Sequence, residues 1–540
     1  MVITVVVLGL ILFSCLNRAA CFSHPVGMYW ANFQGWRLDS DYFRSNWSAL
    51  LGRLHGADAP GHKRLVIEGG YPYALFAARH ALGLRAPFFL NAVLVPTLFA
   101  LVVVLLKRVS GSESRRVVVA WTGLSILLAN PFLSANLWGM TGPYRDTLSY
   151  VLGLASFALA LSPRPIDSRR APVQGLLAGV LVGLGAWTRL PGILLAGPIL
   201  LYWGVTIRPL SRWMRQAGFF CGGVALGLLP LLGQNIFEGR GLAALPQGEL
   251  LLSDKPDLSG AAARFGWHPA NFHSMYRRIM DCAWGLFPPW LHGLGWLGLC
   301  GVLWTGSSRR RLLLPAATAV SYGLFYSCYY TMHSRYAFSL CFFYALTLAA
   351  GLGWMLHRIL VLGSRWPRLP AFLMRALAAG LLAQALWVWW PTRGEWAKNQ
   401  ADWRDALRFR DWASGLFPAN GRIICSHAGV RMWFGYFLGL ESQNWKFLKR
   451  PGRAGPPLSD APFYFVNWTS AEGEEQTSWW KDDLLNACDL HPVGERFVFR
   501  GGRGLVAYRI AGRDTRARVL TPAAGGAPGS WLYLHLRDLG

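Results

Sequence analysis

Eleven apolar segments occupy the first 391 residues, and the loops between them sort by charge. They fall at about residues 2–16, 88–106, 117–133, 147–161, 173–187, 190–205, 219–236, 282–304, 312–330, 337–356 and 372–390. A hydrocarbon core takes about 20 apolar residues per helix, and several of these segments approach that length. If the first begins in the cytoplasm, every even-numbered exit lands on a basic loop: 107–116, 164–170, 208–215, 309–311 and 358–375. Short cytoplasmic loops collect Lys and Arg, and that bias sets orientation. The opposite loops hold Asp39, Asp41, Glu68, Asp146, Arg189 and Arg335. Ionisable groups at membrane depth or at its edge are costly and mark a working site by default. The fold class expected is therefore an all-α polytopic membrane protein of about eleven transmembrane helices. Its N-terminus is inside, and one polar centre lies on the extracytoplasmic face of a bacterial inner or cell membrane.

Composition narrows the class. With 53% hydrophobic and only 15% charged residues, a single aqueous globule is a poor fit. The net charge of +26 would suit a nucleic-acid binder only if it formed a patch on a soluble fold. Seventeen of the 53 Lys and Arg residues sit instead in the five short basic loops, where topology and anionic headgroups account for them. No nucleic-acid partner is expected. The first 22 residues have a signal-like apolar run, but their start carries no basic residue. Removing the run would invert the charge pattern of every later loop, so it reads as a retained first helix. Seven of the nine cysteines lie in or near apolar segments, where Cys behaves as a small hydrophobe. Cys425 and Cys488 lie further on and would be able to pair in an oxidising compartment, although no spacing rule supports it.

Three regions follow. Residues 1–391 form the transmembrane domain, including a long outer loop at 22–85. Within that loop, Tyr42, Phe43, Trp47, Leu50, Leu51 and Leu54 recur at helical spacing, which predicts an amphipathic interfacial helix over 42–54. Residues 73–82 suggest a second. A polar, Gly- and Pro-containing outer loop spans 237–278. Beyond Pro391, charged residues become frequent, and 392–513 reads as a small extracytoplasmic α/β domain. It comprises a helix over 402–416, strands at 422–425 and 463–466, and a hairpin of 496–500 with 504–510 around Gly501-Gly502-Arg503. Its Trp403, Trp412, Trp433, Trp445 and Trp468 suit stacking on sugar rings, although core packing is the commoner use of such residues. Residues 514–540 read as a flexible tail. No internal repeat is visible.

Four constellations carry chemistry. Leu38-Asp39-Ser40-Asp41-Tyr42 places two carboxylates two residues apart just after the first segment. One is able to take a proton from a nucleophile while the other binds substrate or a cation; an Asx turn in a solvated loop is the plainer alternative. Pro143-Tyr144-Arg145-Asp146-Thr147 opens the fourth segment, where Asp146 also suits a helix cap. In Trp187-Thr188-Arg189 a charge interrupts apolar sequence. His333-Ser334-Arg335-Tyr336 opens the tenth segment, where Arg often merely snorkels. Together, Arg145, Arg189 and Arg335 come from three separate turns onto one side of the membrane. Guanidinium forks suit phosphate. Cations around an anion with carboxylates nearby suggest transfer of a group from a lipid phosphate. No Gly-rich phosphate loop, paired Cys-x-x-Cys or His-Glu-x-x-His competes.

This layout resembles the GT-C class of membrane glycosyltransferases, in particular the bacterial relatives of protein O-mannosyltransferases and lipid A aminoarabinose transferases. The resemblance rests on the acidic motif in the first outer loop and on the Gly70-Tyr71-Pro72-Tyr73 segment. Asp146 and the His-Ser-Arg-Tyr run at 333–336 complete it. It implies a sugar taken from a polyprenyl phosphate and placed, with inversion, on an extracytoplasmic hydroxyl of a glycan, lipid or protein. It also implies a general base at Asp39 or Asp41; the O-mannosyltransferase pattern favours Asp39, and the Asp-Tyr pattern of the dolichol-linked glucosyltransferases, with Trp47, favours Asp41. Asp146 and Glu68 would form a second acidic site, with Arg145, Arg189, Arg335, His333 and Tyr336 on the donor phosphate. A divalent cation, Mg or Mn, is not demanded; Asp39 and Asp41 would hold one. The alternatives are an oligosaccharide polymerase or ligase using a diphosphate-linked donor and a lipid or solute transporter, though transporters tend to show inverted repeats. Which sugar and acceptor are used, and the oligomeric state, lie beyond the sequence.

Overall fold

The computed structural model describes residues 40–55, 69–82, 86–110, 145–162, 171–239, 289–305, 309–328, 334–362, 392–426, 433–434, 440–444, 462–475, 488–500 and 502–512, with single positions at 273 and 438. The chain divides into two compact units, the first running to Gly394 and the second continuing from Glu395.

The described residues of the first unit are helical. They form α1 (Ser40–Leu54), α2 (Gly70–Leu82), α3 (Ala86–Ser110), α4 (Arg145–Ala160) and α5 (Ala171–Thr188). A 3-10 turn (Leu190–Leu195) leads to α6 (Ala196–Thr206), α7 (Leu210–Phe237), α8 (Pro289–Thr305), α9 (Arg309–Ser327) and α10 (Ser334–Leu362). Among the described residues, α5 and α7 are long and apolar enough to cross a membrane. Leu177, Leu201, Leu226, Leu229, Trp304, Val320 and Leu324 point outward. Large apolar residues exposed on so many helices suit hydrocarbon rather than water.

The closest packing joins α5 and α7. Gly175, Gly179 and Gly183 face Gln216, Gly223 and Gly227, with residue numbers rising together, so the helices run parallel. A Cβ on Gly179 would lie 2.0 Å from the Phe220 carbonyl oxygen, and one on Gly223 would lie 2.1 Å from that of Leu176. Only glycine permits this approach, and small residues at such spacing are how membrane helices bring backbones together.

Hydrogen bonds sort the helix ends. Arg311 Nη1 donates to the Arg108 carbonyl at 2.8 Å, and Gln174 Nε2 donates to that of Leu159. Trp203 Nε1 donates to the Ala160 carbonyl at 3.3 Å, and Trp213 Nε1 to that of Leu200 at 3.2 Å. The C-terminal ends of α3, α4 and α6 thus meet the N-terminal ends of α5, α7 and α9, where Lys107, Arg108, Arg212, Arg215 and Arg309 to Arg311 gather.

Two boundaries differ from expectation. The sixth segment is not one helix from residue 190. Arg189 is extended (φ −156°, ψ 118°), and Pro191 opens a 3-10 turn instead. Gly192 is pressed against the Gly185 backbone, which a longer side chain would prevent. The seventh begins nine residues before 219, at Leu210, because Pro209 supplies an N-terminal stop and the basic stretch after it is itself helical. The segments at 2–16, 117–133 and 372–390 lie outside the described residues.

The second unit carries α11 (Thr392–Leu416) from its fourth residue on and a six-stranded sheet. The strands are β1 (Arg422–Cys425), β2 (Glu441–Asn444), β3 (Phe463–Thr469), β4 (Cys488–Pro492), β5 (Phe497–Val498) and β6 (Gly504–Gly512). Their order is β2-β1-β3-β6-β4, with β5 on β6. β2, β1 and β3 are parallel, while β6 runs antiparallel to β3, β4 and β5. Ala406, Phe409 and Ala413 line one face of α11 and are buried, as is Phe417 just past its end. Phe409 packs edge-on against Trp433, Phe434 and Phe497.

Two expectations about this unit are corrected. Cys425 and Cys488 cannot pair, because β1 and β4 are separated by β3 and β6. Three interstrand spacings of about 4.8 Å put them far outside disulfide reach even before their offset along the strands. Trp433 does not offer a sugar platform, being 1% exposed in the core. Trp412 Nε1 donates to the Glu495 carbonyl at 2.9 Å, and its ring packs on Phe409, Phe417 and Phe497. Half-buried Trp468 lies against Phe499. The side chain of Trp403, and Trp445, lie outside the described residues.

Candidate functional site

At the end of the first unit away from the basic cluster, α5 stops at Thr188 and the chain turns through Arg189. Arg189 is 7% exposed, an uncommon state for a guanidinium. Its backbone N–H donates to the Gly185 carbonyl at 2.8 Å, and its own carbonyl accepts from Gly192 at the same distance. Its Nη2 donates to Tyr326 Oη at 3.4 Å, near the C-terminal end of α9. Tyr326 is held by a stack through Tyr322 to Phe343 of α10.

Two more helices start at this place. Ser149 Oγ of α4 donates to the Gly185 carbonyl at 3.2 Å. Tyr150 Oη of α4 and Ser339 Oγ of α10 share a hydrogen bond. Arg145 and Asp146 form the first turn of α4, and Arg335 and Tyr336 the first turn of α10. At 1.5 Å of rise per residue, these starts lie roughly 6–8 Å along each helix from that contact. The elements that carry Arg145, Arg189 and Arg335 therefore converge. The side chains of Arg145, Asp146, Arg335 and Tyr336, and the whole of His333, lie outside the described residues.

The acidic motif enters from a second direction. Asp41 lies in the first turn of α1, its side chain outside the described residues, as are Asp39 and Glu68. The next residue, Tyr42, is buried among Phe43, Tyr73, Phe76 and Phe237. Its Oη donates to Glu238 Oε1 at 2.7 Å and lies 3.2 Å from Tyr73 Oη. Burial, then the neighbouring Glu238 carboxylate, hold the Tyr42 hydroxyl far above the ordinary phenol range, so Tyr42 stays protonated and is the donor. Burial raises Tyr73 likewise. The Gly70-Tyr71-Pro72-Tyr73 segment begins α2 and is pressed onto the end of α5, where a Cβ on Gly70 would lie 2.7 Å from Thr188 Oγ1. The ring of Tyr73 lies 5.8 Å from that of Trp187. The structure thus links α1, through Tyr42, to the Gly-Tyr-Pro-Tyr segment and to the end of α5 that precedes Arg189.

Sequence reading missed Gln234 and Glu238, both buried at the end of α7. Their signal was the polar triplet Gln234, Asn235 and Glu238 closing an otherwise apolar span, with Gln234 and Glu238 one helical turn apart. Among the described residues, no group of three or more His, Cys, Asp or Glu side chains is gathered as a metal site would require.

No protein-family model matches the sequence, and no curated protein does. Among solved structures, the chain is similar to ArnT from Cupriavidus metallidurans bound to undecaprenyl phosphate: 13% identity, 94% of this chain and 97% of that one covered, and a TM-score of 0.55. The apo state of that protein gives 14% identity, coverage of 93% and 97%, and a TM-score of 0.52. A fainter likeness, with 11% identity, coverage of 88% and 74% and a TM-score of 0.43, is to the oligosaccharyltransferase AglB from Archaeoglobus fulgidus. Near end-to-end coverage of both chains at TM-scores above 0.5 establishes architecture alone: this chain has the GT-C fold of that solved structure.

Proposed function

We propose that the protein is a membrane glycosyltransferase that moves a sugar from a polyprenyl phosphate to an extracytoplasmic hydroxyl, with inversion at the anomeric carbon. The observation that carries this reading is buried Arg189 at the place where the N-terminal ends of α4 and α10 come together. Helix N-termini present free N–H groups and the positive end of the helix dipole. With Arg145 and Arg335 on those first turns, the arrangement suits a phosphate. The fold agrees, since the similar ArnT structure holds undecaprenyl phosphate.

In this reading Asp39 or Asp41 takes the proton from the acceptor hydroxyl as its oxygen attacks the anomeric carbon. The bond from that carbon to the phosphate oxygen breaks, and the departing lipid phosphate gains negative charge. Arg145, Arg189 and Arg335, with His333 and Tyr336, stabilise that charge as it develops. Asp146 and Glu68 bind the sugar or the acceptor. Any divalent cation would sit at Asp39 and Asp41, and loss of activity with EDTA would reveal it.

The test is donor selectivity. Purified protein should release sugar from a polyprenyl-monophosphate donor and leave the diphosphate-linked one intact. Release from the diphosphate donor alone would identify a polymerase or ligase. Release from neither, with solute flux into liposomes, would identify a transporter.

A further inference from the structure

We infer that Glu238 and Gln234 are positioning residues: they dock α1, and with it the Asp39-Asp41 motif, onto the end of α7. The role concerns the reaction proposed above and rests on that reading for its catalytic consequence.

A carboxylate at the C-cap of a helix faces the negative end of the helix dipole, so local helix stability does not explain Glu238. It is nonetheless fully buried. A buried carboxylate must be compensated by hydrogen bonds. Tyr42 Oη supplies one at 2.7 Å and Gln234 Nε2 another at 3.1 Å. The amide of Gln234 then works in the opposite sense. Its Oε1 accepts from the Gly69 backbone N–H at 2.9 Å and from Trp187 Nε1 at 3.2 Å. One face of α7, through residues 234 and 238, therefore holds α1 by Tyr42, the start of α2 by Gly69 and the end of α5 by Trp187.

The fit leaves no slack. A Cβ on Gly69 would come within 2.5 Å of Gln234 Oε1. Phe237 adds ring contacts to Tyr42 and Phe43, with centroids 5.9 and 6.3 Å apart, and to Trp47 at 5.7 Å. A helix of 15 residues is marginal by itself, so α1 owes its order to docking. Tyr42 directly follows Asp41 in the first turn. Fixing the Tyr42 hydroxyl therefore fixes the backbone that bears the acidic motif, while the cations of the phosphate site stand on other elements.

The test uses the full chain in nanodiscs. Glu238→Ala and Tyr42→Phe should raise hydrogen exchange in residues 42–54 by about tenfold, the worth of one hydrogen bond to a charged group. Exchange in α9 should stay unchanged. Glu238→Gln, whose side-chain oxygen still accepts from Tyr42, should exchange like the wild type. In transfer assays, Glu238→Ala should lower kcat by about tenfold at constant donor KM, with recovery in Glu238→Gln. If Glu238→Ala does not fold, Tyr42→Phe, which removes a single oxygen, carries the test. Unchanged exchange in residues 42–54 overturns the docking role, and so does a rise spread evenly over all helices. A change in donor KM at constant kcat overturns the positioning role. A wild-type protein inactive on every lipid-linked sugar removes the reaction, whereas the exchange result still decides the docking.

Discussion

Arg189 stands where an apolar segment would otherwise continue, and its buried side chain donates to Tyr326 at the C-terminal end of α9. If it holds a phosphate, the planar fork matters as well as the charge. Arg189→Lys is expected to weaken binding of a short-chain polyprenyl phosphate by about tenfold or more, roughly the worth of one charge-assisted hydrogen bond. The same comparison at Arg335 should rank Arg above Lys and Lys above Ala. Equal affinity of Arg335→Lys and the wild type, measured by titration calorimetry, would show that Arg335 only snorkels. At this scale the sequence showed Arg189 because a charge inside an apolar run has few structural uses. It does not show Glu238, because the polar stretch from 237 reads as an outer loop and a loop glutamate reads as solvated. The Tyr42 contact that buries it spans 196 positions, beyond any local pattern.

The pairing of α5 with α7 is the element most exposed to a single change. Gly179→Leu must push a side chain into the Phe220 carbonyl, so the helices must part; overpacking of this kind costs about 1–3 kcal/mol. Gly222, on the same stretch of α7, has nothing within 4 Å of its Cβ position. Gly222→Ala should therefore leave the melting temperature in detergent unchanged or raise it, while Gly179→Leu lowers it. Equal effects would mean that the glycine contact does not hold the pair. Legibility at this scale followed burial. β1 and β3 are apolar and internal to the sheet, and the glycine-centred hairpin of β5 and β6 announced itself by its turn. β2 (Glu-Ser-Gln-Asn) and β4 (Cys-Asp-Leu-His-Pro) give no strand signal because both are edge strands, where one side need not be paired and polar residues or Pro are tolerated. The helix over 42–54 is visible from spacing but its buried face is not: Asn46 and Ala49 turn inward with Tyr42, while Trp47 and Leu51 of the apolar stripe stay exposed.

For the whole molecule, one hydrogen bond from Arg311 to the Arg108 carbonyl sets the basic C-terminal end of α3 beside the basic N-terminal end of α9. Green fluorescent protein fused after residue 110 should fluoresce, and alkaline phosphatase fused after residue 540 should be active. The reverse pair would invert the topology and place the acidic motif in the cytoplasm. The identity of the sugar is set by pocket shape, which no motif reports; mass spectrometry of envelope glycans with and without the gene should show one missing monosaccharide. The central claim is that Asp39 or Asp41 drives sugar transfer from a lipid monophosphate. The most direct measurement is the single-turnover rate of polyprenyl-phosphate release in proteoliposomes, for wild type, Asp39→Asn and Asp41→Asn. One of the two variants should lose about 10²-fold or more in rate while still binding donor. Near wild-type rates in both variants, or no release by the wild type, would contradict the account.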